Sequence, residues 1–264
     1  MSGLRAGLRA CLFGCARFLD RATTLAFYAA AGTVRLEDLR RTIKLEWQEA
    51  AALEAGPWIL TGLMGWEQGF YLRFLRPGDR VLVVGCGAGR DLVALLNLGY
   101  RAEGLDVGPE CIARARQVLD QRGLVAPLYT GPIETVELAG RFDAIIFSWF
   151  CYSYIPQSDR RIRTLQRVKD RLNPGGRILI SYQVMPKPPH PLPIRLAQCV
   201  ARITGSDWRP EYGDMIQPSW RDRRLAHYEH FFQRGALEAE ARAAGLTVVF
   251  HEKSEREGMA ALTE

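Results

Sequence analysis

The chain has 264 residues, 48% apolar and 24% charged, with a formal net charge of +6. That is a soluble globular composition, long enough for one domain of ordinary size with an appendage. It excludes a membrane-spanning helix, because no apolar run approaches the roughly 20 residues required, while the mild basic excess suits nucleic acid or an anionic surface and proves neither.

In chain order, the segment MSGLRAGLRACLFGCARFLDR opens on a helical pattern. Leu4, Leu8, Leu12 and Cys15 follow one stripe, and Arg5, Arg9, Arg17 and Arg21 a neighbouring one. This predicts a basic amphipathic helix, packed on its own domain or lying on an anionic membrane. Its arginines bracket the apolar stretch too tightly for a secretory signal. A second helix is expected from about Leu36 to Leu53, capped near Gly56, and an aromatic third in WEQGFYLRFL. Residues 1–57 thus form an N-terminal helical extension and 58–264 the main domain.

From Arg80 onward strand and helix patterns alternate. VLVVG, RAEGLD, APLYT, FDAIIFSWF and GRILISY read as strands, and the segments between most of them as helices. Pro109 stands in a first turn, and Gly99 and Gly123 close their helices. Such alternation implies right-handed crossovers and a mostly parallel α/β sheet, doubly wound, with ligands at the strands' carboxyl ends. The run PKPPHPLP holds five prolines in eight residues, which is expected to rule out helix or central strand there. Residues 184–226 are therefore expected to form an insertion after the fifth strand, roofing the ligand edge, with Trp208 and Tyr212 toward an acceptor. The regular pattern resumes with HYEHFF, a helix, the strand LTVVFHEK and a short antiparallel strand in GMAALTE. The six cysteines are scattered without metal-like spacing and read as reduced cytosolic thiols.

VLVVGCGAGRD carries the main chemical signal. Gly85, Gly87 and Gly89 permit positive φ and close approach of a ligand to the backbone, ahead of a helix N-terminus. About twenty residues on, the next strand ends in Asp106, where a carboxylate can accept hydrogen bonds from two vicinal ribose hydroxyls. A nicotinamide dinucleotide site wants a glycine at the loop's sixth position, which is Arg90 here.

Four segments in register, VLVVGCGAGRD, GYRAEGLDVGPECIARAR, GRFDAIIFSWF and LQRVKDRLNPGGRILIS, resemble the class I S-adenosylmethionine-dependent methyltransferases over residues about 58 to 182. The closing HYEHFFQRGALEAEARAAGLTVVF resembles that family's C-terminal part. The resemblance implies a Rossmann-like, seven-stranded, mostly parallel sheet, S-adenosylmethionine as cofactor with S-adenosylhomocysteine as product, and no metal. It implies that Gly85, Cys86, Gly87 and Gly89 wall the methionine part and that Asp91 fixes one of its ends. Asp106 would hold the ribose, with Val107, Ile133 and Glu134 around the adenine and Ser148 and Trp149 beside the transferred methyl. Val83 and Pro132 stand where the family often has acids.

Methyl transfer needs alignment more than a catalytic triad. Candidate bases or positioning groups are Tyr152, Tyr154, His227 and His230. SWFCYSYIP after the fourth strand lacks the pattern of exocyclic base-amine methylation, and the arginine stripe at 160, 163, 167 and 171 lacks stacking aromatics, so nucleic acid is disfavoured as a partner. The expected function is methylation of an O or N atom of a small, apolar or lipid-like acceptor. The expected location is cytoplasmic, or peripheral at the inner face of a membrane. The rivals are an RNA or protein methyltransferase and a non-catalytic cofactor-binding subunit.

Overall fold

The computed structural model describes residues 2–54, 59, 61–185, 190–222 and 224–264. Two helices open the chain, α1 (Ser2–Ala31) and α2 (Leu36–Glu54), followed by α3 (Gly65–Phe74). The alternating part runs β1 (Arg80–Val84), α4 (Arg90–Asn97), β2 (Arg101–Asp106), α5 (Pro109–Gln121), β3 (Leu128–Thr130), β4 (Phe142–Phe147), α6 (Ser158–Lys169) and β5 (Leu172–Gln183). Then come α7 (Leu192–Thr204), β6 (Asp214–Pro218), β7 (Ala226–His230), α8 (Ala236–Ala243), β8 (Thr247–Lys253) and β9 (Glu257–Thr263).

Seven strands form one sheet in the order β3-β2-β1-β4-β5-β9-β8. β1 to β5 pair in parallel, and β9 inserts antiparallel between β5 and β8. This is the Rossmann-like sheet expected of class I methyltransferases. Its strands are apolar on both faces because helices cover both. Leu82 and Val84 face a core with Leu165, Val168 and Leu237, while Val81 and Val83 face one with Phe70, Leu92 and Leu95. The period of two along β1 separates the layers.

Two sequence expectations change. The segment HYEHFF meets the main sheet only at its end, where the Phe232 N–H donates to the Gln183 carbonyl of β5; its β7 part pairs antiparallel with β6 in a separate hairpin. The proline run does not exclude helix, because α7 starts within it, with Pro191 as its N-cap and proline in its first turn. There the missing N–H has no helical acceptor to lose. The expected cap Gly56, the 57/58 boundary and prolines 186, 188 and 189 lie outside the described residues.

The hairpin packs inward on the N-terminal helices. Trp208, Ile216 and Tyr228 share a core with Ala31, Leu36, Leu39 and Ile43, and Phe27 and Tyr28 flank it. α2 also packs on α5, so it bridges the hairpin and the sheet's helical layer. Arg161 is only 1% exposed, and its guanidinium bonds both oxygens of Glu240, the Ile155 carbonyl and Glu211. This buried pairing ties α6 to α8 and to the segment before β6.

Candidate active site

The strand order reverses between β1 and β4, and a cavity of about 700 Å³ opens at their carboxyl ends. Such a switch point is where open α/β sheets take ligands. The glycine loop turns through φ angles of +74° at Gly85, +53° at Gly87 and +94° at Gly89. Space also favours glycine at two of them. A Cβ on Gly85 would lie 2.9 Å from that of Cys151, and one on Gly89 would lie 3.3 Å from that of Ala115. Part of the glycine pattern thus serves the protein's own packing, while Gly85 and Gly87 also line the cavity.

Asp106 ends β2 inside this turn. One carboxylate oxygen accepts the Gly87 N–H at 3.0 Å, and the other accepts the Gly108 N–H at 2.8 Å. Burial pushes its pKa up, and those backbone donors, Gly108 first, work against the rise. Two N–H donors occupy about half of a carboxylate's acceptor sites. The Cys111 thiol and the Val107 N–H act on Asp106 as further, weaker donors while it lines the cavity.

Asp91, in the first turn of α4, accepts the Ser148 hydroxyl at 2.6 Å and lies 2.7 Å from the Arg90 guanidinium. Arg90 also pairs with buried Glu67 on α3. Burial raises the pKa of Asp91, and Arg90 and then Ser148 oppose it. Just past β4, Trp149 and Phe150 both take left-handed backbone angles, φ 47° and 60°. Two bulky residues in that region store strain, which needs surrounding structure to hold it. Here Trp66 stacks on Phe150 at 5.8 Å, Arg90 lies 5.3 Å from the centre of the Trp149 ring, and the Phe150 N–H donates to Ser181.

The opposite wall is α2. Arg40, Ile43, Lys44 and Trp47 line the cavity across from the loop. Arg40 pairs with Glu134 at 3.1 Å, and Trp47 meets Tyr154 edge-on at 5.3 Å. The Tyr154 hydroxyl is hydrogen-bonded to Glu229 on β7; burial and then that carboxylate raise the tyrosine's pKa. Burial also raises Glu229, opposed first by His227 and then by Tyr154. His227 is itself held by Glu46, whose carboxylate lies 2.7 Å from Nδ1.

The structure brings Gly85, Cys86, Gly87, Asp91, Asp106, Val107, Ile133, Glu134, Ser148 and Trp149 to the wall of one cavity. Gly89 is not on that wall and serves as the N-cap of α4. Tyr154 lines the cavity, whereas Tyr152 and His230 do not. Tyr152 is fully buried and donates to Glu240. His230 Nδ1 lies 2.8 Å from Asp214. Glu211, Asp214 and His230 converge, but Arg161 stands 3.1 Å from Glu211 and 3.4 Å from His230, so a guanidinium already supplies the positive charge there. No described residue of 184–226 lines the cavity, so the expected roof is α2 and the insertion supports it from behind. Sequence reasoning missed the α2 wall and Glu229. Its available signal was α2's stripe of Leu36, Leu39, Ile43 and Trp47, which needs a partner surface.

A family profile described as a methyltransferase domain matches residues 67–251. Among curated proteins, the chain is 29% identical over 109 residues to a ribosomal protein L11 methyltransferase of Thermus thermophilus, covering 41% of this chain and 40% of that protein. It is 27% identical over 149 residues to a ubiquinone biosynthesis O-methyltransferase of Xanthomonas campestris pv. campestris, covering 56% and 60%. The matches thus span less than two thirds of these relatives' length. Among solved structures, an S-adenosylmethionine-dependent methyltransferase of Methanosarcina mazei superposes with a TM-score of 0.58 at 18% identity, covering 77% of this chain and 98% of that one. The glycopeptide N-methyltransferase MtfA gives 0.53 at 16%, covering 74% and 86%. At these identities the structural matches speak for the fold.

Proposed function

This chain belongs to the methyltransferase-domain family, and from that premise we propose that it methylates an O or N atom of a small, largely apolar acceptor, drawing the methyl from S-adenosylmethionine. The observation that carries this reading is a single cavity running from Asp106 and Glu134 to Tyr154 and Pro156. Its volume of about 700 Å³ lies in the range of small-molecule sites and leaves room beyond a nucleoside.

The residues fit the cofactor. Asp106, a buried carboxylate on the cavity wall, would hold the vicinal ribose hydroxyls, and Gly87 brings bare backbone to the same wall. Val107, Ile133 and Glu134 would flank the adenine; Asp91, held by Ser148 and Arg90, would meet the methionine end. When bound, S-adenosylmethionine supplies a sulfonium methyl, whose C–S bond breaks with the electron pair staying on sulfur as the acceptor's lone pair forms the new bond.

The acceptor would lie between Trp149, Trp47, Ile155 and Tyr154. Aromatic walls hold an apolar body without anchoring water. Lys44 is half-buried on this wall with no ion-pair partner among the described residues, which suits an anionic substituent on the acceptor. Tyr154, backed by Glu229, would take a proton from the acceptor while passing its own to the carboxylate. This favours a hydroxyl acceptor, the class of atom named for the Xanthomonas relative.

A protein acceptor is the second reading, favoured by the name of the Thermus relative. Incubation with methyl-labelled S-adenosylmethionine and a cell extract split into small-molecule and protein fractions separates the two. Label in a small organic product supports the proposal. Label confined to protein supports the second reading, and binding without transfer to any fraction points to a non-catalytic cofactor-binding subunit.

A further inference from the structure

The N-terminal half of α1 covers nothing and is covered by nothing among the described residues. Residues 4–24 are exposed apart from Gly14, a stretch of roughly 30 Å at about 1.5 Å per residue. Within it Leu4 is 83% exposed, Phe18 70%, Leu19 63%, and Leu8 and Leu12 61% each. At about 100° per residue, Phe18, Cys11, Leu4, Cys15, Leu8, Leu19 and Leu12 fall within one arc of roughly 120°. Arg5 and Arg9 border that arc on one side, and Arg21 and Arg17 on the other. Phe13 stands off it.

A contiguous apolar strip of this size on a soluble protein marks a docking surface. Its charges choose the occupant. Four arginines stand against one acid, Asp20, in residues 2–22. Pairing with a second copy would line both edges of the seam with arginines, with only Asp20 to answer them. A basic partner helix meets the same objection. Anionic lipid headgroups answer all four arginines while the acyl layer takes the leucines and Phe18. No helix of the described residues is long and apolar enough to cross a membrane, so the mode is in-plane.

We propose that residues 4–22 lie flat in an anionic lipid surface, with Leu4, Leu8, Leu12, Phe18 and Leu19 inserted and Arg5, Arg9, Arg17 and Arg21 at headgroup level. The rest of α1 is the tether. Phe27 and Tyr28 pack with the hairpin core, and the Tyr28 hydroxyl donates to the Asp214 carbonyl at 3.0 Å. The turn after α1 leads directly into α2, the cavity wall.

The test is co-sedimentation of the full chain with vesicles of phosphatidylcholine alone or of equal parts phosphatidylcholine and phosphatidylglycerol. The chain is expected to sediment with the anionic vesicles and to be released by salt. Arg5→Gln/Arg9→Gln should lower partition about 25-fold, at roughly five-fold per arginine. Leu8→Asp/Phe18→Asp should abolish binding. Both pairs are exposed, so melting temperature and S-adenosylhomocysteine affinity should match the parent and report intact fold. Failure to sediment with anionic vesicles overturns the proposal, as does binding that the Leu8/Phe18 variant retains. Dimerisation by sedimentation velocity that the Leu8/Phe18 variant loses, without vesicle binding, assigns the strip to a second copy instead.

Discussion

Asp106 is bound into its own loop before any ligand arrives. Its two oxygens hold the Gly87 and Gly108 N–H groups, so removing the carboxylate unties the turn as well as the ribose site. Asp106→Ala is therefore expected to lose stability, at ~1.5–3 kcal/mol per charge-assisted bond, along with affinity. Asp106→Asn keeps one acceptor and is the cleaner probe. Its S-adenosylhomocysteine affinity, read by calorimetry, should fall roughly ten- to a hundred-fold. Tyr154→Phe removes the proposed relay and should lower kcat by a factor on the order of 10² or more, with the cofactor KM unchanged. The relay needs Glu229 ionised, and burial raises its pKa. The rate should thus rise with pH through a value above the ordinary carboxylate range and fall away below it. Glu229→Gln should lose that limb; a pH profile identical to the parent's would remove Glu229 from the chemistry. Asp106 was legible in the sequence because strand, glycine loop, helix and next strand fix its place. Tyr152 and Tyr154 were not separable, since they share one tight turn from Cys151 to Tyr154. Its three residues per turn send positions two apart to different sides, one to Glu240 and one to the cavity.

Among elements, α2 and the insertion exchange the roles their sequences suggest. Trp208 is fully buried among α1, α2 and the hairpin rather than facing an acceptor. Trp208→Ala should cost about 3–5 kcal/mol in denaturant unfolding. Trp47→Ala and Lys44→Ala on α2 should instead raise the acceptor KM several-fold and leave unfolding midpoints close to the parent's. Equal loss of cofactor affinity would make α2 a cover for the nucleoside alone. α1 divides in the same way. Deleting residues 2–21 removes exposed surface and should leave the melting temperature and cofactor affinity near the parent's. Deleting residues 2–31 strips Phe27, Tyr28 and Ala31 from the hairpin core and should destabilise the fold. The α1 stripe was legible because exposed arginines and leucines sort by angle alone. The α2 wall was not, because the helix pattern gives an apolar face without saying which surface meets it. Likewise a proline-rich start concealed α7, whose first turn needs no N–H from proline.

For the whole molecule, the mostly parallel, doubly wound sheet was readable because the alternation of strands and helices admits few topologies once crossovers are right-handed. The hairpin β6–β7 escaped that logic, since nothing local distinguishes a strand of the main sheet from one that pairs elsewhere. The result is a sheet whose reversal point meets a helical wall brought from the chain's start, with the cavity between them. The central claim is that this cavity takes S-adenosylmethionine through Asp106. A ligand present at about a hundred times its Kd adds ~2.7 kcal/mol to stability. For a domain of this size that is a rise in melting temperature of about 5 to 10 °C. The decisive measurement is thermal unfolding of the parent chain and of Asp106→Asn with S-adenosylhomocysteine and, separately, NADP. The parent should shift with S-adenosylhomocysteine and not with NADP, and Asp106→Asn should shift much less at the same concentration. A shift with NADP alone, or an equal shift in both proteins, would contradict it.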